Sequence, residues 1–246
     1  MDNEVMKVKE FIRRIPEGST RPFLCKCEDE QLYVIKGRPS LPPKQLMAEW
    51  IAGCLAKAMG LSIPDFEIVE IESALVEFVP ELKGELQPGY AFATKFIPGA
   101  GSITFGQAHS KVEIPAQKRI YLFDRWVKNA DRTLSPLGGN VNIIFDFYNN
   151  RHYLIDHNLA FAHDEADDDF EMHVYGARHR NWLFDIVDQQ ECEDELAAAR
   201  SALQNSLAKI PEEWCLEQPE DNAEFIAFIE DTLDKANSVD FWSKIT

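Results

Sequence analysis

The chain has 246 residues, with 25 Lys+Arg against 42 Asp+Glu, a formal charge of −17 and a sequence pI near 4.7. That balance excludes a protein built to grip a nucleic-acid backbone, which needs a basic stripe, and 45% hydrophobic residues exclude wholesale disorder. No apolar stretch approaches the ~20 residues of a membrane span, and Met1 to Arg14 alternates charged with apolar groups, unlike a signal peptide. The expectation is a cytoplasmic protein without membrane or nucleic-acid partners, forming one large domain or two lobes that share a cleft.

Residues 1–97 read as strand-rich with one inserted helix. The turn-rich Pro16-Glu17-Gly18-Ser19-Thr20-Arg21-Pro22 precedes two β-prone runs, Phe23 to Glu28 and Leu32 to Lys36, separated by Asp29-Glu30-Gln31 as in a hairpin. Pro39, Pro42 and Pro43 lead into a helix from Lys44 to Met59, stopped by Gly60, with Met47, Trp50, Ile51, Cys54, Leu55 and Ala58 at helical spacing. Phe66 to Ile71, Ala74 to Val79 and Tyr90 to Ile97 read as three more strands.

Pro98-Gly99-Ala100-Gly101-Ser102 marks the boundary, because helix periodicity dominates residues 98–246. Ile114 to Asn129 carries Ile120, Phe123, Trp126 and Val127 on one stripe; Asn142 to Phe147 and His152 to Ile155 form a short β-prone pair. Glu193 to Ala208 and Asn222 to Ala236 are the last two helices. The five cysteines include no Cys-x-x-Cys pair, and Cys25 and Cys27 share one strand face, which fits small buried apolar residues better than redox or metal chemistry.

Three polar features close elements in a fixed order: Lys36 ends a strand, Asn129-Ala130-Asp131-Arg132 ends a long helix, and Asp156 ends a hairpin. Gly138-Gly139-Asn140-Val141-Asn142 lies between the last two. Phosphoryl transfer asks for such a set: a strand lysine on the nucleotide phosphates, one aspartate on the acceptor hydroxyl, and an asparagine with a second aspartate on Mg2+.

The segments YVIKG, NADRTLSPLGGNVNII and YLIDHNLAF resemble the HipA-like kinase family, a divergent branch of the protein-kinase-like fold, over Gly18 to Phe161. The resemblance implies a bilobal α+β chain, with a small sheet-rich lobe (1–97) over a helical lobe (98–246) and ATP between them. It implies an ATP- and Mg2+-dependent serine/threonine kinase acting on a protein, with a regulatory protein partner as a further prospect. Lys36 matches the phosphate-contacting lysine, Asp131 the catalytic aspartate and Asp156 the metal-binding aspartate, followed by His157 and Asn158 where ordinary kinases have Phe-Gly. Either Asn140 or Asn142 matches the metal-binding asparagine. Asn142 stands eleven positions after Asp131 against five in an ordinary catalytic loop, and on one strand only one of the two asparagines would face the cleft.

No G-x-G-x-x-G precedes Lys36, so the phosphate-covering loop falls to Gly18, Ser19, Thr20 and Arg21, whose hydroxyls are also candidate autophosphorylation sites. Glu49 is the natural partner of Lys36, on a small-residue helix face with Ala52, Gly53 and Ala56. Gly99, Gly101 and Gly106 do not make a dinucleotide fingerprint and read as a connector. His152, His157, His163, His173 and His179 lack the spacing of a helical zinc motif, and the run Asp164 to Asp169 reads as a solvated loop. A nucleotide-binding pseudokinase and a small-molecule kinase remain the alternative functions.

Overall fold

The computed structural model describes residues 5–16, 20–135, 138–162 and 167–245. In the N-terminal part, β1 (Val8–Arg14), β2 (Phe23–Cys27), β3 (Leu32–Lys36), β4 (Phe66–Ile71) and β5 (Gly89–Lys95) form one antiparallel sheet ordered β1-β2-β3-β5-β4. Glu30, at φ +63, turns the β2–β3 hairpin, where Cys27 N–H donates to Gln31 O. The strand period of two then decides what each face does. Cys25, Cys27, Tyr33 and Ile35 share a dry face with Val69, Leu82 and Leu86, while Val34 and Lys36 point to the opposite side, which borders a cavity. Burial pushes the Cys25 and Cys27 thiols up to about 12, so they are inert packing groups.

The helix α1 (Pro43–Ala58) crosses the cavity face of the sheet. Pro43 stands at its first turn, where the missing N–H costs nothing. Gly60, at φ +75, ends it, with Leu61 N–H donating to Ala56 O. Ala74 to Val79 is not the expected strand: Ser73–Phe78 is the short helix α2, followed by a 3-10 turn at Pro80–Leu82. Val76, Phe78 and Val79 carry strand propensity, but the segment closes its own hydrogen bonds, Val79 N–H to Leu75 O, instead of extending the sheet. The edge strand β1 has no counterpart in the expected elements, because its alternating charges leave only Val8 fully buried.

In the C-terminal part, β6 (Ala100–Ser102) sits inside the expected connector and pairs with the later hairpin. Helices α3 (Phe105–Lys111) and α4 (Ile114–Trp126) follow, α3 opened by a Thr104/Gln107 capping box. Next come the two-stranded β7 (Thr133–Ser135) and β8 (Gly138–Asn140), then the hairpin β9 (Ile143–Asp146) and β10 (Arg151–Leu154), which makes the sheet β10-β9-β6. Helix α5 (Ile186–Ser201) starts before the expected Glu193, at an Asp185/Asp188 capping box, because Ile186 and Val187 are exposed and break the apolar stripe. The expected single helix ends at Ser201 and resumes as α6 (Leu203–Leu207); α7 (Pro219–Asp234) and α8 (Val239–Ser243) complete the chain.

One large apolar cluster joins α1 to the C-terminal helices. Helix α1 packs on α5 and α6, and Trp50 Nε1 donates to Ser206 O at 2.9 Å. In return Trp214 Nε1 donates to Tyr90 O at 3.1 Å, and Tyr90 N–H donates to Glu213. No helix among the described residues is long and apolar enough to cross a membrane.

Candidate active site

Between the open face of the sheet and the β6-β9-β10 sheet lies a cavity of about 390 Å3. Val34, Phe66 and Phe92 line it from one side, and Ile144 and Leu154 from the other. Gly53 of α1 keeps its inner end open, since a Cβ there would come within 3.2 Å of the Phe66 ring.

Lys36 ends β3 on this wall, and its Nζ donates to Glu49 Oε2 at 2.8 Å and to Asp156 Oδ1 at 2.7 Å. Glu49 comes from the small-residue face of α1, which can approach the sheet closely, and is almost fully buried. Its second oxygen accepts the His157 N–H at 3.1 Å, so one carboxylate ties the lysine to the segment carrying Asp156. Burial pulls the Lys36 ammonium down, but Asp156 and Glu49 outweigh it, and its pKa lies above the ordinary lysine range. Burial pushes the Glu49 carboxyl up against the pull of Lys36. For Asp156 burial also works upward, but Lys36 prevails and the carboxyl stays below its usual value.

Asp156 sits at φ +66 and Asn142 at φ +48, a backbone region that non-glycine residues rarely occupy and that costs of order 1–3 kcal/mol. Asn142 Nδ2 donates to Asp131 Oδ2 at 3.1 Å, and Asn142 N–H donates to Asn140 Oδ1 at 3.1 Å. The alternation expected for the two asparagines does not apply, because Asn140 ends β8, Asn142 precedes β9, and the left-handed turn at Asn142 breaks the strand between them. Both stand at the site: Asn140 lines the cavity and Asn142 holds Asp131. Burial and the charge of Asp156 together raise the Asp131 carboxyl above the ordinary aspartate value.

Beneath these groups Arg132 is fully buried and pairs with Asp124 of α4, Nε to Oδ2 at 2.7 Å, rather than with its neighbour Asp131. Its Nη1 donates to Asn142 O and to Ile155 O, and its Nη2 donates to His157 Nε2 at 3.3 Å. An arginine only donates, so the His157 ring is neutral and protonated on Nδ1; burial and Arg132 lower it to about 3. Asp124 Oδ1 also accepts from Asn129 Nδ2 at 2.9 Å, and Asp124 Oδ2 from His173 Nε2 at 3.0 Å. Burial works against the Asp124 charge, but Arg132 and His173 hold its carboxyl well below the usual range. Arg132 is thus the hub that fixes the strands bearing Asn142 and Asp156 relative to the loop bearing Asp131. Asp124 went unread in the sequence, although it sits inside the apolar stripe of Ile120, Phe123 and Val127, where a carboxylate needs a buried partner.

Thr20 lines the cavity; Arg21, exposed at φ +43, is not among the residues that do. Gly18 and Ser19 lie outside the described residues, as does part of the acidic run with His163. Arg13 and Ile15 of the unexpected first strand and its exit border the cavity as well. No cluster of three or more His, Cys, Asp or Glu side chains among the described residues is placed to hold a metal. A Mg2+ ion that is held largely by substrate phosphates and water needs less, one or two carboxylates. The mutual repulsion of Asp131 and Asp156, with the Asn142 and Asn140 amide oxygens beside them, fits such a cation.

The family model for HipA-like kinases matches residues 8–245. No curated protein matches the chain by sequence. Among solved structures, the proinflammatory kinase CtkA of Helicobacter pylori superposes with a TM-score of 0.57 at 11% identity, over 94% of this chain and 93% of that one. A Golgi casein kinase with Mn and ADP bound superposes with a TM-score of 0.52 at 14% identity, over 94% of this chain and 72% of that one. At these identities the likeness is one of fold: a sheet-rich N-terminal part and a helical C-terminal part in the protein-kinase-like arrangement.

Proposed function

Since the chain belongs to the HipA-like kinase family, we propose that it transfers the γ-phosphate of ATP, with Mg2+, to a serine or threonine hydroxyl of a protein. The observation that carries this reading is the Lys36 ammonium, held between Glu49 and Asp156 at 2.8 and 2.7 Å on the wall of a cavity of about 390 Å3. Lys36 is positioned to pair with nucleotide phosphates, and Glu49 keeps it extended toward them. Val34, Ile144 and Leu154 would form apolar walls for the purine, while Thr20, which lines the same cavity, would face the phosphates. Asp156 with Asn142 and Asn140 would hold the divalent cation, which when bound neutralises phosphate charge; the Golgi casein kinase structure, with Mn and ADP, supports the pairing of metal and nucleotide on this fold.

Asp131 orients the acceptor hydroxyl and takes its proton as the oxygen bonds to the γ-phosphorus and ADP departs. Its raised pKa makes it a stronger base than an ordinary aspartate, which suits that task. Asn142 fixes the carboxylate, and the buried Arg132 fixes Asn142 in turn.

The first test is a thermal shift with ATP and Mg2+. A ligand bound only to the folded state at a hundredfold excess over its Kd stabilises by ~2.7 kcal/mol, or roughly 5–11 °C for a chain of this size. No shift, or one indifferent to a chelator, removes the Mg-nucleotide site. A shift without ATP consumption or labelled product identifies a nucleotide-binding scaffold, and a labelled small molecule in place of phosphoprotein identifies the other acceptor class.

A further inference from the structure

Asp156, at φ +66, stands between two anchored stretches of chain. Upstream the backbone is bound to the C-terminal part: Ile155 N–H donates to Asn142 O at 3.1 Å, and Ile155 O accepts from Arg132 Nη1. Downstream, although the His157 ring also meets Arg132, the chain is bound to α1 by two bonds one helical turn apart. His157 N–H donates to Glu49 Oε1 at 3.1 Å, and Asn158 Nδ2 donates to Gln45 Oε1 at 2.9 Å. Positions 45 and 49 are four apart and share one helix face, so α1 forms a rail along the segment that follows Asp156.

The Glu49 bond belongs to the Lys36 arrangement; the Gln45 bond is separate from it. The D-F-G triplet of ordinary kinases ends in glycine, which has no side chain to make such a bond. Asn158 is 7% exposed, and Gln45 supplies the partner that its buried amide requires. Helix α1 is itself held, packed on α5 and α6 with Trp50 Nε1 on Ser206 O, so a bond to Gln45 fixes the position of what it grips. A residue in the left-handed region persists there only when its surroundings hold it.

We propose that Gln45 and Asn158 are positioning residues, whose bond keeps Asp156 in its left-handed conformation with the carboxylate toward Lys36 and the divalent cation. Neither side chain lines the cavity, so both act through Asp156. The part of the assignment that concerns the cation rests on the kinase reading.

Gln45→Met keeps the length of the side chain and removes the acceptor. In the ligand-free full chain, amide hydrogen exchange at His157 should quicken about three- to tenfold, the loss of one neutral hydrogen bond, while Ile155, anchored upstream, keeps its rate. Gln45→Glu, which restores an acceptor, returns His157 to the wild-type rate. Asn158→Ala gives the same acceleration, and the double variant adds nothing to it. In calorimetric titration Gln45→Met and Asn158→Ala weaken Mn2+ binding to the ADP complex several-fold and leave metal-free ADP affinity unchanged, a split that general loosening of the fold does not produce. An unaltered His157 rate in Gln45→Met, equal acceleration at His157 and Ile155, or additive effects in the double variant overturns the assignment. Faster exchange with unchanged Mn2+ affinity, in a chain whose wild type binds the metal, overturns it as well. A wild-type chain that binds ADP without regard to Mn2+ overturns the kinase reading instead, and faster His157 exchange in Gln45→Met then upholds the tether on Asp156 by itself.

Discussion

Lys36 and Arg132 are both buried cations with carboxylate partners, yet Lys36 faces a cavity whereas Arg132 and Asp124 are sealed at 0% exposure. Around Lys36 the charges are in tension: Glu49 is pushed up by burial, and Asp131 by burial and Asp156. Around Arg132 every strong donor has an acceptor and the Asp124 carboxylate is firmly ionised. The difference teaches where a ligand belongs. Groups left in tension next to empty space are completed by something that arrives, while a buried network whose charges are all paired is scaffold.

The sharpest way to test this contrast is to substitute one aspartate on each side. Asp131→Asn is expected to lower kcat by about 10²–10⁴-fold while leaving nucleotide affinity nearly intact and the melting temperature equal or slightly higher, since it removes a carboxylate the fold disfavours. Asp156→Asn should abolish transfer as well, but weaken Mg-nucleotide affinity in calorimetric titration. Equal loss of affinity in both would reverse the assigned roles.

Arg132→Met carries the next largest effect. It strands the buried Asp124 charge and should cost about 3–5 kcal/mol in denaturant unfolding. Lys36→Met should cost less, because Asp156 opens on the cavity and Glu49 can take up a proton. A larger loss from Lys36→Met would break the distinction between open site and sealed scaffold.

The smallest expected effect is a pH dependence that belongs to the sealed side. His157 falls from an ordinary value near 6.5 in the unfolded chain to about 3 in the fold. The folded state therefore binds fewer protons in that interval, and the stability it gains from the neutral ring is full above pH 6.5 and lost as pH falls toward 3. Melting temperature should decline across that window, and His157→Gln, which retains an acceptor for Arg132, should flatten the decline. The depressed carboxyls of Asp124 and Asp156 act only at lower pH, so the two contributions are separable.

Much of this arrangement was readable beforehand, for reasons that differ by residue. Lys36 ends β3, while Asp156 follows β10 and Asp131 follows α4 in the loops just beyond strongly patterned elements, where a charged side chain has no packing purpose. The small-residue face around Glu49 announced a close helix–sheet approach, which the 2.8 Å pair with Lys36 realises. What escaped were features set by tertiary context. Ala74 to Val79 has strand-forming residues but closes helical hydrogen bonds within itself, and β1 hides its regularity under edge charges. The Asn140/Asn142 alternation presupposed a continuous strand, and the positive φ at Asn142 is invisible to a pattern of side chains. Asp124 was visible as a carboxylate in an apolar stripe, but its partner lies eight residues on, across a loop that periodicity cannot follow.

The two indoles that latch the sheet-rich part to the helical part bear on how the chain comes apart. Trp50 on α1 reaches Ser206 O, and Trp214 reaches Tyr90 O, so the donors and acceptors of the seam alternate between its two sides. Neither part can melt without exposing the other's indole and orphaning a buried carbonyl. The chain is therefore expected to unfold as one cooperative unit, with tryptophan fluorescence and far-UV circular dichroism tracing a single coincident transition, and a nucleotide bound as proposed would raise the stability of helices it never touches.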